Sequence, residues 1–142
     1  MFITRGTRHD HDDLRDFYAR HEWSEEPVEV DSGKAFIARD GAIVGAVRLI
    51  EIDPQNVIVD DVLVAEDRRG AGIGSQLMRA AMNSRGGTMY LCCHDERLRF
   101  YGDLGFTEID PDSLPADVLE YFKKEGDYPS RPDHVHHFLK AR

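Results

Sequence analysis

A run of arginines and glycines in the middle of the chain is the first feature that could do chemistry: Val62-Leu63-Val64-Ala65-Glu66-Asp67-Arg68-Arg69-Gly70-Ala71-Gly72-Ile73-Gly74-Ser75, followed directly by a helical pattern. Glycine lets the backbone turn sharply and brings successive N–H groups up to a ligand. Those N–H groups and the start of the following helix both favour negative charge. Arg68 and Arg69 add cationic side chains beside them. A phosphate or diphosphate is the natural guest. A Walker loop needs Gly-Lys-Ser/Thr at its end, and Gly74-Ser75 has no lysine. A dinucleotide fingerprint needs Gly-x-Gly-x-x-Gly, whereas the spacing here is Gly70-x-Gly72-x-Gly74. Neither nucleotide class fits.

A second motif lies downstream, Arg99-Phe100-Tyr101-Gly102-Asp103-Leu104-Gly105-Phe106. Taken together the two segments resemble the GNAT superfamily of acyl-CoA-dependent N-acyltransferases. Arg69-Gly70-Ala71-Gly72-Ile73-Gly74 is similar to its Arg/Gln-x-x-Gly-x-Gly/Ala loop, and Tyr101 to Phe106 to its Tyr-x-x-x-Gly-Phe signature. The resemblance covers about residues 36–109 clearly and the flanks loosely. It implies acetyl-CoA (coenzyme A) as cosubstrate and no metal. By resemblance the backbone of Val62, Leu63 and Val64 binds the pantetheine arm like an added strand. The loop Arg69, Gly70, Ala71, Gly72, Ile73, Gly74 and Ser75 holds the diphosphate. Many members carry Asn where this chain has His94, at a pantetheine contact.

The implied reaction is attack of a neutral amine on the thioester, which requires loss of an ammonium proton and stabilisation of the departing thiolate. Tyr101 stands where the family commonly places a general acid, and a phenol of pKa about 10 matches an alkyl thiolate in basicity. The other reading of Tyr101 is a packing aromatic beside Phe100 and Phe106. For the base, Glu51, Asp60 and Asp61 lie on the strands expected to border the acceptor site, and a water chain is a further route. Asp60 shares a strand face with Val62, while Asp61 points oppositely. Cys92 and Cys93 read as small strand residues rather than an acyl-cysteine relay. The histidine tracts His9-Asp10-His11-Asp12-Asp13 and His134-Val135-His136-His137 show no recognised ligand spacing, so no metal is expected. The first tract reads as a helix start capped by Asp. The expected acceptor is the primary amine of a small molecule or amino acid. His21-Glu22-Trp23-Ser24-Glu25-Glu26 is a candidate pocket wall, through stacking and charge. Arg131 is a candidate carboxylate clamp. A catalytically weak acyl-CoA sensor and a protein N-terminal or lysine acetyltransferase are the alternatives.

The elements that must position these groups follow from pattern. Residues 1–5 read as a strand, and residues 12–21 as a helix through the spacing of Leu14, Phe17 and Tyr18. The acidic stretch 22–33 reads as a loop or broken helix. Residues 34–39, 42–52 and 57–64 make an antiparallel meander turned at Asp40-Gly41 and Pro54-Gln55-Asn56. A helix at 76–85, a strand at 88–94, a helix at 96–104, a strand at 106–109, a helix at 116–124 and a last strand at 134–139 complete the order. That order predicts an α+β fold, a GNAT-like single domain over residues 1–142. Its mixed, mostly antiparallel sheet of about six to seven strands is flanked by helices.

Composition limits the alternatives. The 142 residues suit one domain, and 41% hydrophobic residues can bury a core without staples. A net charge of -9 repels polyanions, so neither nucleic acid nor an anionic membrane is an expected partner. The two adjacent cysteines cannot bridge each other in a strand, and no run approaches the ~20 apolar residues of a membrane span. A cytoplasmic location is expected. Many relatives pair as homodimers, and the sequence leaves that open.

Overall fold

The computed structural model describes residues 1–142 except Glu22, Glu25, Glu26, Pro27 and Ser32. Among the described residues it contains strands β1 (Phe2–Arg5), β2 (Lys34–Asp40), β3 (Ala42–Asp53), β4 (Asn56–Val64), β5 (Thr88–Cys93), β6 (Thr107–Ile109) and β7 (His137–Ala141). The α-helices are α1 (His11–Arg20), α2 (Ile73–Asn83), α3 (Leu98–Asp103) and α4 (Ala116–Lys124). The strands form one sheet in the order β1-β2-β3-β4-β5-β7-β6. The β4–β5 pair is parallel, while β1–β2, β2–β3, β5–β7 and β6–β7 are antiparallel. The expected α+β class and mixed, mostly antiparallel sheet are those observed. No helix among the described residues is long and apolar enough to cross a membrane.

Most boundaries shift by a residue or more from expectation, and three departures bear on the site or on a cap. Helix α2 starts at Ile73 instead of Gln76, so Gly74 and Ser75 belong to its first turn. β7 starts at His137, which leaves His134 and His136 ahead of the strand. Asp does not cap α1 directly. Instead Thr7 caps a 3-10 turn over Arg8–Asp10, accepting from the His9 N–H, while the Asp10 carboxylate accepts from the Thr7 N–H at 2.8 Å. A capping box needs a side chain that reaches back, and Asp10 supplies it.

Contacts divide the chain into two compact units, one of Met1–Ile50 with Val59–Arg85 and one of Glu51–Ile58 with Gly86–Arg142. In the first, α1 buries Leu14, Phe17 and Tyr18 against Val30, Ile37, Ile43, Ala46, Leu63 and Ala65. Helix α2 buries Ile73, Leu77, Met78 and Ala81. A Cβ built on Gly45 would lie 2.9 Å from Leu77 Cδ1 and 3.1 Å from Ile73 Cγ2, so α2 rides close on β3 where there is no side chain. In the second unit, β7 pairs with β5 from Met89↔Ala141 to Cys93↔His137. Helix α4 packs Phe122 edge-on to Phe138, at 5.2 Å between ring centroids.

The first unit also contains a buried polar node. Asp61 breaks the regularity of β4 with φ 52, a left-handed backbone uncommon outside glycine but tolerated by Asp. Its carbonyl accepts from the Tyr18 hydroxyl at 2.6 Å. Its Oδ1 accepts from the Trp23 indole N–H at 2.6 Å, and Oδ2 from the Arg48 guanidinium at 2.8 Å. Arg48 also donates to the Glu29 carbonyl. The Arg48 side chain is 5% exposed and that of Asp61 15%, so each charge depends on the other for solvation. Burial, with Asp61 alongside, pushes the Tyr18 phenol well above its ordinary pKa and keeps it a donor.

Two outcomes follow from these contacts. Arg48→Met leaves the Asp61 carboxylate buried without its cation and should lower stability by about 3–5 kcal/mol. The double variant Arg48→Met/Asp61→Asn, which removes the orphaned charge and keeps a residue tolerant of positive φ, should recover part of that loss in urea unfolding. Equal losses would show that charge is not the cause. The second outcome concerns pH. The Thr7 N–H, aided by Arg39 at 2.9 Å, holds the Asp10 carboxyl below its ordinary 3.8. A depressed carboxylate contributes stability that is complete above the unfolded value and is lost as pH falls through the folded one. The Tm gap between wild type and Asp10→Asn should therefore be present at neutral pH and close below about pH 4.

Candidate functional site

β4 leads into the glycine-rich loop through a 3-10 turn over Glu66–Arg68, and the Ala65 N–H is tied to the Val44 carbonyl at 2.8 Å. Gly70 and Gly72 take φ 82 and 81. A Cβ at either would meet nothing within 4 Å, so these glycines answer to backbone conformation and not to crowding. Gly72 is the N-cap of α2, with no side chain closing the helix start and no acidic residue in the first turn. The first intrahelical bond runs from the Gln76 N–H to the Gly72 carbonyl at 3.0 Å. The amides of Ile73, Gly74 and Ser75 precede it and have no intrahelical acceptor. Three N–H groups and the positive end of the helix dipole thus converge at one end of α2, the arrangement that receives an anion.

The two arginines differ in use. Arg68 pairs with Asp40 at 2.7 Å, both exposed, and so fastens the loop to the β2–β3 turn. Arg69 is exposed and its Nε donates to the Val64 carbonyl at 3.1 Å, buttressing the junction of strand and loop. Within β4, Leu63 is buried and Val62 and Val64 are half-buried. The β4–β5 ladder covers Asn56↔Thr88, Val57↔Met89 and Ile58↔Tyr90, whereas β4 itself runs on to Val64.

The carboxylates considered as bases sit in different surroundings. Asp61 has both oxygens engaged, by Trp23 and Arg48. Asp60 is half-buried and its Oδ1 accepts from the Asp61 N–H at 2.8 Å. Glu51 is exposed on β3. Sequence pattern alone misses the cage of Arg48, Tyr18 and Trp23 around Asp61, although a lone arginine inside the apolar run of residues 42–50 is its signal. The acceptor-wall glutamates Glu22, Glu25 and Glu26 lie outside the described residues. Arg131 is exposed in a turn, where its backbone bridges to His134.

In the second unit, Tyr101 is buried on α3, with ring centroids 5.0 Å from Phe100 and 5.9 Å from Phe106. Cys93 is a buried thiol, and burial pushes its pKa up to about 11, which leaves almost no thiolate near neutrality. His94 follows β5 directly. Its Nδ1 lies 3.2 Å from the Val135 carbonyl, and its ring is 4.6 Å from that of His134 and 4.8 Å from that of His136. Two histidines about forty residues downstream of His94 are thereby brought to it, a grouping that spacing along the chain does not reveal. His137 is differently placed, with Nδ1 at 2.7 Å from Glu108 and Nε2 bonded to Asp95. The Glu108 and Asp95 carboxylates hold its imidazole pKa above the ordinary value.

Comparison with known proteins bears on the fold and the family. The acetyltransferase (GNAT) domain family model matches residues 31–108, more than half of the 142. No curated protein matches the sequence. Among solved structures, N-acetylglutamate synthase from Neisseria gonorrhoeae, complexed with coenzyme A and N-acetyl-glutamate, superposes with TM-score 0.76 at 13% identity. That match covers 100% of this chain and 35% of the synthase, so the chain spans about a third of that protein. An aminoglycoside 6'-N-acetyltransferase complexed with coenzyme A gives 0.70 at 19% identity, covering 99% of this chain and 96% of that one. A GNAT-family acetyltransferase from Staphylococcus aureus Mu50 gives 0.69 at 18%, covering 98% and 96%. At these identities the structures speak for the fold, while the family model speaks for descent: the chain belongs to the GNAT acetyltransferase family.

Proposed function

We propose that the full chain works as one N-acetyltransferase domain that moves an acetyl group from acetyl-CoA to the primary amine of a small molecule or amino acid. The observation that carries this reading is the acid-free start of α2, opened by Gly70 and Gly72 in left-handed backbone. A diphosphate there would accept from the amides of the loop and the first helical turn, between Arg69 and Ser75. The main chain of Val62, Leu63 and Val64 would receive the pantetheine arm, as an extended ligand adds to a strand. The acceptor class draws support from the two neighbours named for glutamate and aminoglycoside acetylation.

Chemistry then proceeds by direct attack. The unactivated Cys93 thiol argues against an acyl-cysteine relay, because a thiol with pKa about 11 is a poor nucleophile near pH 7. The amine must lose its proton before it attacks the thioester carbonyl. Asp61 is committed to Arg48 and Trp23, so its role in this scheme is to hold the shape of β4, and Glu51 or a water chain removes the proton. The carbonyl carbon forms its bond to nitrogen as the carbon–sulfur bond breaks, and Tyr101 donates its phenolic proton to the departing thiolate.

Release of free thiol from acetyl-CoA across a panel of primary amines tests the activity. Binding without release against every amine would reduce the protein to an acyl-CoA sensor. Gly72→Ala forces a Cβ into φ 81 and should weaken acetyl-CoA binding about tenfold, the equivalent of ~1.4 kcal/mol of left-handed strain. Tyr101→Phe should lower kcat by about 100-fold or more while KM for acetyl-CoA stays near wild type. An unchanged kcat would leave Tyr101 as a packing residue.

A further inference from the structure

We propose that His94, His134 and His136 form a binding site for a divalent transition-metal ion of the zinc class, which fastens the turn before β7 to the end of β5. The site arises from sheet register. The β5–β7 ladder closes at Cys93↔His137, so the next residues outward on the two chains are His94 and His136. The turn closed by the Arg131–His134 backbone pair brings His134 over both. One ligand nitrogen from each of the three rings lies within 4.8 Å of the others, and the ring centroids are 4.6–4.8 Å apart.

The chemistry of the donor set selects the ion. Three imidazoles without thiolate suit Zn2+, Co2+ or Ni2+ and offer little to Mg2+ or Ca2+, which prefer oxygen. A tetrahedral ion at about 2.0–2.1 Å from each nitrogen sets those nitrogens about 3.3 Å apart. The remaining closure is small, and His134 is exposed, so its ring can turn. Partners behind the ligands already fix the other two. The Val135 carbonyl lies 3.2 Å from Nδ1 of His94, which orients that ring and directs Nε2 to the ion. The His136 backbone is held at both ends by Ser130 Oγ, which accepts from its N–H and donates to its carbonyl, each at 3.0 Å. The His136 side chain is 9% exposed, with Asp127 at 3.7 Å offering compensating negative charge. Arg131 adds one opposing positive charge, whereas the chain as a whole carries -9. Three protein ligands leave a fourth position for water. His137 is not part of the set, since both its nitrogens are on carboxylates. His94 would thereby serve the metal in place of the pantetheine contact that family resemblance suggests.

The test titrates the tag-free, chelator-treated full chain with ZnCl2 by calorimetry, with MgCl2 as the negative ion and acetyl-CoA thermal shift as an independent check of folding. The expected result is one equivalent of Zn2+ bound, weakened more than about tenfold in His134→Asn and in His136→Asn. His9→Asn, in the other histidine tract, should bind as wild type does. Zn2+ should also slow amide exchange through residues 131–136. Because His134 is exposed, its variant should keep the wild-type response to acetyl-CoA, so loss of metal binding is separable from loss of the cofactor site. Absence of stoichiometric Zn2+ binding would overturn the proposal. So would wild-type affinity in His134→Asn, or a loss in His9→Asn equal to that in His134→Asn.

Discussion

The ion pair between Arg48 and Asp61 is the constraint from which the rest of the first unit takes its form. A strand that abandons regular geometry midway needs a reason to stay bent, because an irregular backbone does not satisfy its own polar groups. Asp61 supplies that reason from both its main chain and its side chain. The carbonyl is taken by Tyr18 of α1, one carboxylate oxygen by Trp23, the other by Arg48 of β3. The bend comes three residues after the last β4–β5 pair, at Ile58↔Tyr90, and just before the segment that leads into the glycine loop. Burial raises what is at stake: with most of the solvent excluded, the pair is worth keeping only as a pair. Electrostatics here serves shape, and shape sets where the main chain of Val62–Val64 is presented.

The acidic pair in the middle of β4 thus divides its labour. Asp60 and Asp61 look equivalent as letters, yet Asp60 steadies the bend by accepting from the next residue's N–H, and Asp61 is clasped by three side chains. Two neighbouring arginines divide similarly, Arg68 holding the β2–β3 turn and Arg69 the end of β4. In both cases residues that invite a catalytic or ligand-binding reading are first of all braces. The anion-receiving capacity of the loop comes from peptide groups, whose direction these braces fix.

Much of the fold was legible because local pattern and tertiary packing agree. Leu14, Phe17 and Tyr18 repeat at helical spacing and are the buried face of α1. Asp40-Gly41 signals a tight reversal, and Gly41 takes φ 77 there. The loop was legible because glycine at every second position weakens helix and strand alike and leaves a backbone free to bend around an anion. Boundaries failed where residue type underdetermines conformation. Ile73, Gly74 and Ser75 read as loop because glycine is a poor helix former, but the first turn of a helix has no full set of intrahelical bonds to lose. His134 and His136 read as the start of a last strand, yet residues 132–133 form a turn and the Ser130 hydroxyl holds the His136 backbone ahead of β7. The node around Asp61 and the grouping of His94 with His134 and His136 were hidden for a simpler reason. Most of their contacts join residues far apart along the chain, and only the tertiary fold brings such residues face to face.

Gly45 carries a consequence for how such a protein could be tuned. Its missing side chain lets the underside of α2 settle onto β3, with Ile73, the first residue of that helix, resting 3.1 Å from where a methyl carbon would stand. No side chain of residue 45 therefore separates the helix from the strand. A methyl wedge at residue 45 would press on a branched side chain that has little freedom to swing away, tipping the mouth of the helix outward while leaving every loop residue unchanged. In the proposed acetyltransferase, affinity for acetyl-CoA is thereby open to change through residue 45, which lies outside the glycine loop, by the height of a helix above a strand.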